Sequence, residues 1–143
     1  MNKIDRFLDA GNIKFRTNFR DSMYHALREG DRTRLEGQEE EDGLFSSMTD
    51  LFCDAFAIGY HFNKSEDIAP NSTNHVNLVS IDRDIKELLV HLVLKRKPEI
   101  SDPKELWKEV NKYSEYGIQV LFNSWKKNNR NLDLKDILEY VEF

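Results

Sequence analysis

Cysteine is nearly missing from this chain: Cys53 is the only one in 143 residues. A single thiol makes no internal disulfide and no cysteine-rich zinc site, and it fits a reducing cytoplasm. No apolar run approaches the ~18 residues a membrane span needs. The longest, ELLVHLVLKRK, is interrupted by His91 and ends in three cations. The opening MNKIDRFLDAG interleaves charged with apolar residues, unlike a signal peptide. A cytoplasmic protein without membrane contact is expected. Excess positive charge is also lacking. The net charge is −5, which argues against a dedicated, strongly basic nucleic-acid binder and leaves room for local basic patches.

Motifs of common active sites are absent as well. There is no glycine-rich phosphate loop and no Gly-x-Ser-x-Gly. The histidines, at 25, 61, 75 and 91, are not spaced with one another or with Cys53 as metal ligands are. Cys53 and His61 are about two helical turns apart, too far for one ion. Neither metal nor cofactor is expected. Cys53 has no neighbouring cation cluster to lower its pKa and reads as an inert thiol. Asp54 is the one acid set among apolar neighbours, and His91 reads as a core or edge residue of an apolar helix. An enzyme would have to rest on Asp54 or His61, and the chain is read as non-enzymatic.

What the chain has is helical periodicity and nine Phe and two Trp, enough to exclude a disordered polymer. KIDRFLDAG places Ile4, Phe7 and Leu8 on one helical face and stops at Gly11. NIKFRTNF alternates and reads as a strand or extended connector. TNFRDSMYHALREG reads as a helix capped by Thr17 or Asn18. EGQEEED, residues 36–42, has five acids and no base, within a mobile acidic loop near 31–43. A third helix spans about 44–60, with Met48, Leu51, Phe52, Ala55 and Gly59 on one face. VNLVS is the second candidate strand.

A fourth helix covers about 81–95, with Ile81, Ile85, Leu88, Leu89 and Leu92 as its main stripe and Val90, Val93 and Leu94 beside it. Ser101 or Asp102, then Pro103, start a fifth helix that reaches about Lys127. Leu106, Val110, Tyr113, Gly117, Val120 and Leu121 line one face, with Trp107, Ile118, Phe122 and Trp125 off it. LDLKDILEYVEF reads as a last short helix. The expected fold is mainly α: a single compact bundle of five to six helices over 1–143, with one or two short strands near 12–17 and 76–80.

The candidate binding residues are basic and aromatic. Lys14, Arg16 and Arg20 surround the first strand; Lys95, Arg96 and Lys97 end the fourth helix; Lys126, Lys127 and Arg130 end the fifth. Helix-end cations also complement the helix dipole, so these clusters have a structural reading beside phosphate contact. A ribbon–helix–helix layout would use Ile13 to Thr17 as its ribbon, with Lys14 and Arg16 in the groove, but the join over 30–43 is too long for that fold. Trp107, Trp125 and Phe143 are candidate exposed anchors for a protein partner.

Two stretches resemble a known family. LFSSMTDLFCDAFAIGYHFNKSEDI resembles a segment of small proteins associated with Dnd DNA-phosphorothioation and restriction systems. There a Phe/Ala-rich helix ends in Ala-x-Gly-Tyr/Phe-Lys. Ala57, Gly59 and Tyr60 match, and Lys64 follows late. LWKEVNKYSEYGIQVLFNSW is similar to a later helix of the same proteins, of the type EEYANGG-x-x-x-L. Tyr113, Gly117 and Leu121 match, and Tyr116 stands where one of the paired glycines would be. The resemblance runs in order over about 44–128. It implies an accessory subunit of a bacterial antiphage defence or DNA-processing complex, working beside larger ATPase or nuclease subunits, and it implies no catalytic residue. Gly59 and Gly117 are then read as points of close helix packing, because a helix-interior glycine costs about 0.5–1 kcal/mol relative to alanine and needs compensation. Direct contact with DNA through the basic patches is the alternative.

Overall fold

The structure, a computed structural model, describes residues 3–11, 13–23 and 47–127. The acidic loop, the last expected helix, His25, Arg130 and Phe143 lie outside them. The described chain is mostly helical, with one two-stranded antiparallel sheet. Its elements are α1 (Lys3–Leu8), β1 (Lys14–Thr17), α2 (Met48–Phe62), β2 (Thr73–Asn77), a 3-10 turn (Leu78–Ser80), α3 (Arg83–Arg96) and α4 (Pro103–Lys127). Residues 20–23 are also helical.

Local chemistry sets most of these boundaries. The Ser47 hydroxyl accepts the Asp50 N–H at 3.1 Å, so α2 starts at Met48, four residues later than the apolar pattern indicates. It ends where Asn63 turns into the left-handed region (φ 52°) and the Lys64 N–H reaches the Gly59 carbonyl. The Asp102 carboxylate accepts the Lys104 N–H at 3.2 Å, and Pro103 opens α4. Gly11 has φ +83°, the conformation that lets the chain reverse from α1 into β1. Thr17 is the end of β1 rather than a helix cap; its hydroxyl accepts the Phe19 N–H, ahead of the helical run.

The central element is α4, with 14 of its 25 residues buried, so the expected single apolar face is too narrow. It packs antiparallel against α2, with Gly59 opposite Tyr113 and Gly117 opposite Ala55. A Cβ on Gly59 would lie 2.1 Å from the Tyr113 carbonyl oxygen, and one on Gly117 would lie 1.8 Å from that of Ala55. The two backbones therefore touch where each helix lacks a side chain. The Ser114 hydroxyl donates to the Phe52 carbonyl at the same crossing (3.1 Å).

Trp107 and Trp125 are corrected as partner anchors: both are buried. Trp107 is 0% exposed, and its indole N–H donates to the Phe7 carbonyl at 2.9 Å, tying α1 to α4. Trp125 packs edge-on against Phe122 in a second apolar cluster with Met23, Leu51 and Ile118. Both side chains turn into the core because α4 is surrounded by other elements.

The second strand is displaced from 76–80 to Thr73–Asn77. Pairing with β1 decides this. Phe15 pairs with Val76 and Thr17 with Thr73, burying one face, while Leu78 to Ser80 close a 3-10 turn. The other edge of β1 is sealed by Asn111 of α4. Its amide accepts the Arg16 N–H (3.0 Å) and donates to the Arg16 carbonyl (2.9 Å), as a third strand would.

The stripe expected on the fourth helix is also corrected. The buried residues of α3 are Leu89, Val90 and Val93, whereas Ile85 and Leu88 are 38% and 56% exposed. The helix is apolar on more than one side, and its contacts with α1 and α4 choose the face that is buried.

Candidate functional site

Among the clefts of the described residues, one between helices is apolar and one on the sheet is polar. The apolar groove runs between α2 and α3 and measures about 350 Å³. Helix α2 supplies Cys53, Phe56, Tyr60 and His61; α3 supplies Ile85, Leu88, Leu92 and Arg96. Its aromatic wall is fixed. The Phe56 and Tyr60 rings stack at 5.7 Å, and both meet Tyr113 at 5.8 Å. The Arg96 guanidinium lies 3.5 Å over the Tyr60 ring and donates to the Tyr60 carbonyl and, at 3.3 Å, to the Asn63 amide oxygen. The opposite wall is aliphatic and open to solvent.

Cys53 and His61, read from the sequence as background, both border this groove. Burial pushes the Cys53 thiol up to about 11, with Asp54 and Asp50 adding to the rise. At neutral pH it is a protonated, unreactive thiol. Asp54 is exposed on α2, and its pKa is raised by partial burial and by Asp50. His61 is exposed with its ring edge-on to Phe62. His91 faces outward, 3.9 Å from Glu87 one turn earlier, not into the core. No group of His, Cys, Asp and Glu among the described residues is arranged to hold a metal ion, and no described helix is long and apolar enough to cross a membrane.

The basic residues do not form one face. Arg16 donates to the hydroxyl (3.1 Å) and the carbonyl of Ser72, and Arg20 to the Asn74 carbonyl at 2.9 Å. Lys97 pairs with Glu109 at 2.6 Å, and that bond raises its pKa. Arg96 is occupied by Tyr60. With β1 paired to β2 and sealed by Asn111, Arg16 is turned along the sheet and the ribbon layout is excluded for this strand. Lys14, Lys95, Lys126 and Lys127 are exposed.

The polar cleft, about 330 Å³, lies on the sheet. It is lined by Lys14, Arg20, Thr49, Asn74, His75, Val76, Asn77 and Ser80, with no carboxylate. His75 was visible in the sequence only as an isolated histidine. Its position depends on a β-bulge: Phe15 pairs with Val76 and Arg16 with Asn74, so His75 has no residue opposite. The ring lies 5.5 Å from that of Phe52. Both of its nitrogens and the Asn77 Oδ1 are sealed from solvent, and the Phe15 backbone is the hydrogen-bonding neighbour of the imidazole. Burial depresses the His75 pKa to about 4; the nearby Phe15 backbone opposes this and Arg20 reinforces it. The imidazole is neutral at pH 7.

A third buried polar group lies behind β1. Glu115 is 0% exposed; one carboxylate oxygen accepts the Asn18 N–H at 2.9 Å, and the other has no partner. Burial raises its pKa, against the Asn18 bond and the Thr17 hydroxyl, with Glu66 adding to the rise. Replacing Glu115 by Gln keeps the acceptor for Asn18 and removes a buried charge. Urea unfolding at pH 7 should show Glu115→Gln more stable than the parent by about 1 kcal/mol. A loss instead would mean the charge is compensated.

Comparison with protein-family models, with curated proteins and with solved structures finds no match.

Proposed function

We propose that the chain is a non-enzymatic accessory subunit of a bacterial antiphage defence or DNA-processing complex, acting through contacts with larger ATPase or nuclease subunits. The setting rests on the resemblance carried by Ala57, Gly59 and Tyr60 and by Tyr113, Gly117 and Leu121. The mode of action rests on one observation, the preformed apolar groove between α2 and α3, with Leu88 56% exposed on its rim. Exposed apolar surface of this kind marks sites of association. A rigid aromatic wall facing a row of aliphatic side chains suits the apolar face of an amphipathic helix, with anchors one turn apart. Arg96, at one end of the groove, would meet a carboxylate of that helix.

The test is co-expression of the tagged chain with the products of its neighbouring genes, followed by affinity capture and quantified binding. Leu88→Asp should weaken capture of a large subunit by at least roughly tenfold, the effect of losing one buried aliphatic anchor and burying a charge. Val79→Asp, at a residue 63% exposed outside the groove, should leave it unchanged. Equal capture by both variants, or capture abolished by nuclease treatment, would overturn the proposal.

A further inference from the structure

The α3 side of the apolar groove carries a face that complements itself. Helix α2 packs on α4, and α3 on α1 and α4, which leaves the groove between α2 and α3 open. Ala57, exposed on the α2 wall, adds little bulk to it. On α3 the exposed Ile85 and Leu88 and the half-buried Leu92 recur at three and four residues and form one apolar stripe. Leu88 also belongs to a second row, which runs from Asp84 through Leu88 and His91 to Lys95 at four, three and four residues. All four side chains of that row are exposed. Asp84 stands in the first turn of α3 and Lys95 in the last. Arg83 is turned away, to Asp5 of α1 at 3.5 Å. The face is therefore acidic at its amino end, apolar in the middle and basic at its carboxyl end.

We propose that the free chain pairs with a second copy through this face, α3 of each copy lying antiparallel in the groove of the other. A parallel copy would set acid against acid and base against base, whereas an antiparallel one is attracted at both ends. Asp84 of each copy then meets Lys95 of the other, and Ile85 of each meets Leu92 of the other across Leu88. The midpoints of Asp84–Lys95 and of Ile85–Leu92 fall within one residue of each other. A single two-fold axis thus serves both the charges and the apolar stripe, as a closed dimer with identical patches requires. The charges fix direction and register, because exposed pairs contribute little individually. Affinity comes from Ile85, Leu88 and Leu92 leaving water. One helix in one groove is a small interface, so association on the order of micromolar is expected. Pairing and the docking proposed above use the same groove, so a helix of the larger subunit would displace the second copy. That displacement rests on the docking reading; the pairing itself does not.

The experiment is sedimentation equilibrium of the purified full chain alone, at low salt, from micromolar to millimolar concentration. The mass should rise from monomer to dimer and stop there. Asp84→Lys and Lys95→Glu should each weaken the dimer by at least roughly tenfold, since the two-fold axis makes each reversal act twice. An equal mixture of the two variants should pair about as tightly as the parent, because each supplies the charge that the other lacks. Reversals that acted only on the dipole of α3 would give no such rescue. Both side chains are exposed, so the reversals spare the core. Leu88→Asp should abolish pairing, and Val79→Asp, outside the groove, should leave it intact. The inference is overturned if the chain stays monomeric at millimolar concentration, which would leave the groove to the larger subunit. It is also overturned if the mass passes the dimer without stopping, if both reversals pair as the parent does, or if the mixture pairs no better than either variant alone. No larger subunit is present in these samples, so failure here leaves the docking reading standing, and failed capture in co-expression leaves the pairing standing.

Discussion

Gly117→Ala should destabilise the protein by about 3 kcal/mol or more, read as a fall in the urea midpoint. At an unconstrained helical site the same change is favourable by up to about 1 kcal/mol, because alanine is the better helix former. Here the added methyl carbon would lie 1.8 Å from the Ala55 carbonyl oxygen, 2.5 Å from its carbon and 2.8 Å from the Ala55 Cα. All three are backbone atoms of α2, so no rotamer change relieves the overlap. The helices must separate, and overpacking of that kind costs about 1–3 kcal/mol and at times more. Separation would also stretch the Ser114–Phe52 bond and loosen both apolar clusters that meet at this crossing. Adding Ala55→Gly to the variant should not rescue it, because the obstruction is the Ala55 backbone. Rescue would locate the contact in the side chain and contradict the packing described.

The second large effect is a loss of stability on mild acidification, centred on His75. An unfolded histidine takes up its proton near pH 6.5, whereas the folded His75 does so only near 4. Between those values the unfolded chain holds more protons, so stability falls as the pH falls. At 1.36 kcal/mol per unit the loss approaches about 3 kcal/mol over the window, and none is expected above it. Glu115 acts in the opposite direction. Its raised carboxyl pKa means that the folded protein binds that proton first, so acidification towards the ordinary carboxylate value of 4.5 restores some stability. Urea unfolding at pH 7, 5.5 and 4.5 separates the two. His75→Phe should flatten the acid loss, and Glu115→Gln should steepen it. An acid loss unchanged by His75→Phe would mean that the imidazole is solvated.

The parts of this fold that can be read from the sequence are those fixed by local spacing. The alternation of Phe15 and Thr17 marks β1, Asp102 and Pro103 mark the start of α4, and the four-residue rhythm of Ala55 and Gly59 marks the packed face of α2. The parts that cannot be read depend on distant partners. Helix α3 is apolar on several sides, so periodicity cannot decide whether Leu88 or Val90 is buried; α1 and α4 decide it. Strand β2 is polar over Thr73 to His75 and exists because β1 lies beside it. Asn111 gives no local sign that it seals a strand edge 95 residues away, and Trp107 none that it holds the Phe7 carbonyl. The groove was hidden for the same reason as the face of α3. The polar cleft was hidden because a bulge, invisible in the sequence, brings His75 beside Lys14 and Arg20.

The most direct measurement of the central claim, association through an apolar groove, is the salt dependence of binding to the large subunit captured in co-expression. The affinity should change little between low and high sodium chloride, because apolar burial is not screened and the single cation at the groove's end contributes little. It should fall by at least roughly tenfold on Leu88→Asp at either salt concentration. A steep loss of affinity with salt, with Leu88→Asp binding as the parent does, would contradict the account and place the contact on the basic residues instead.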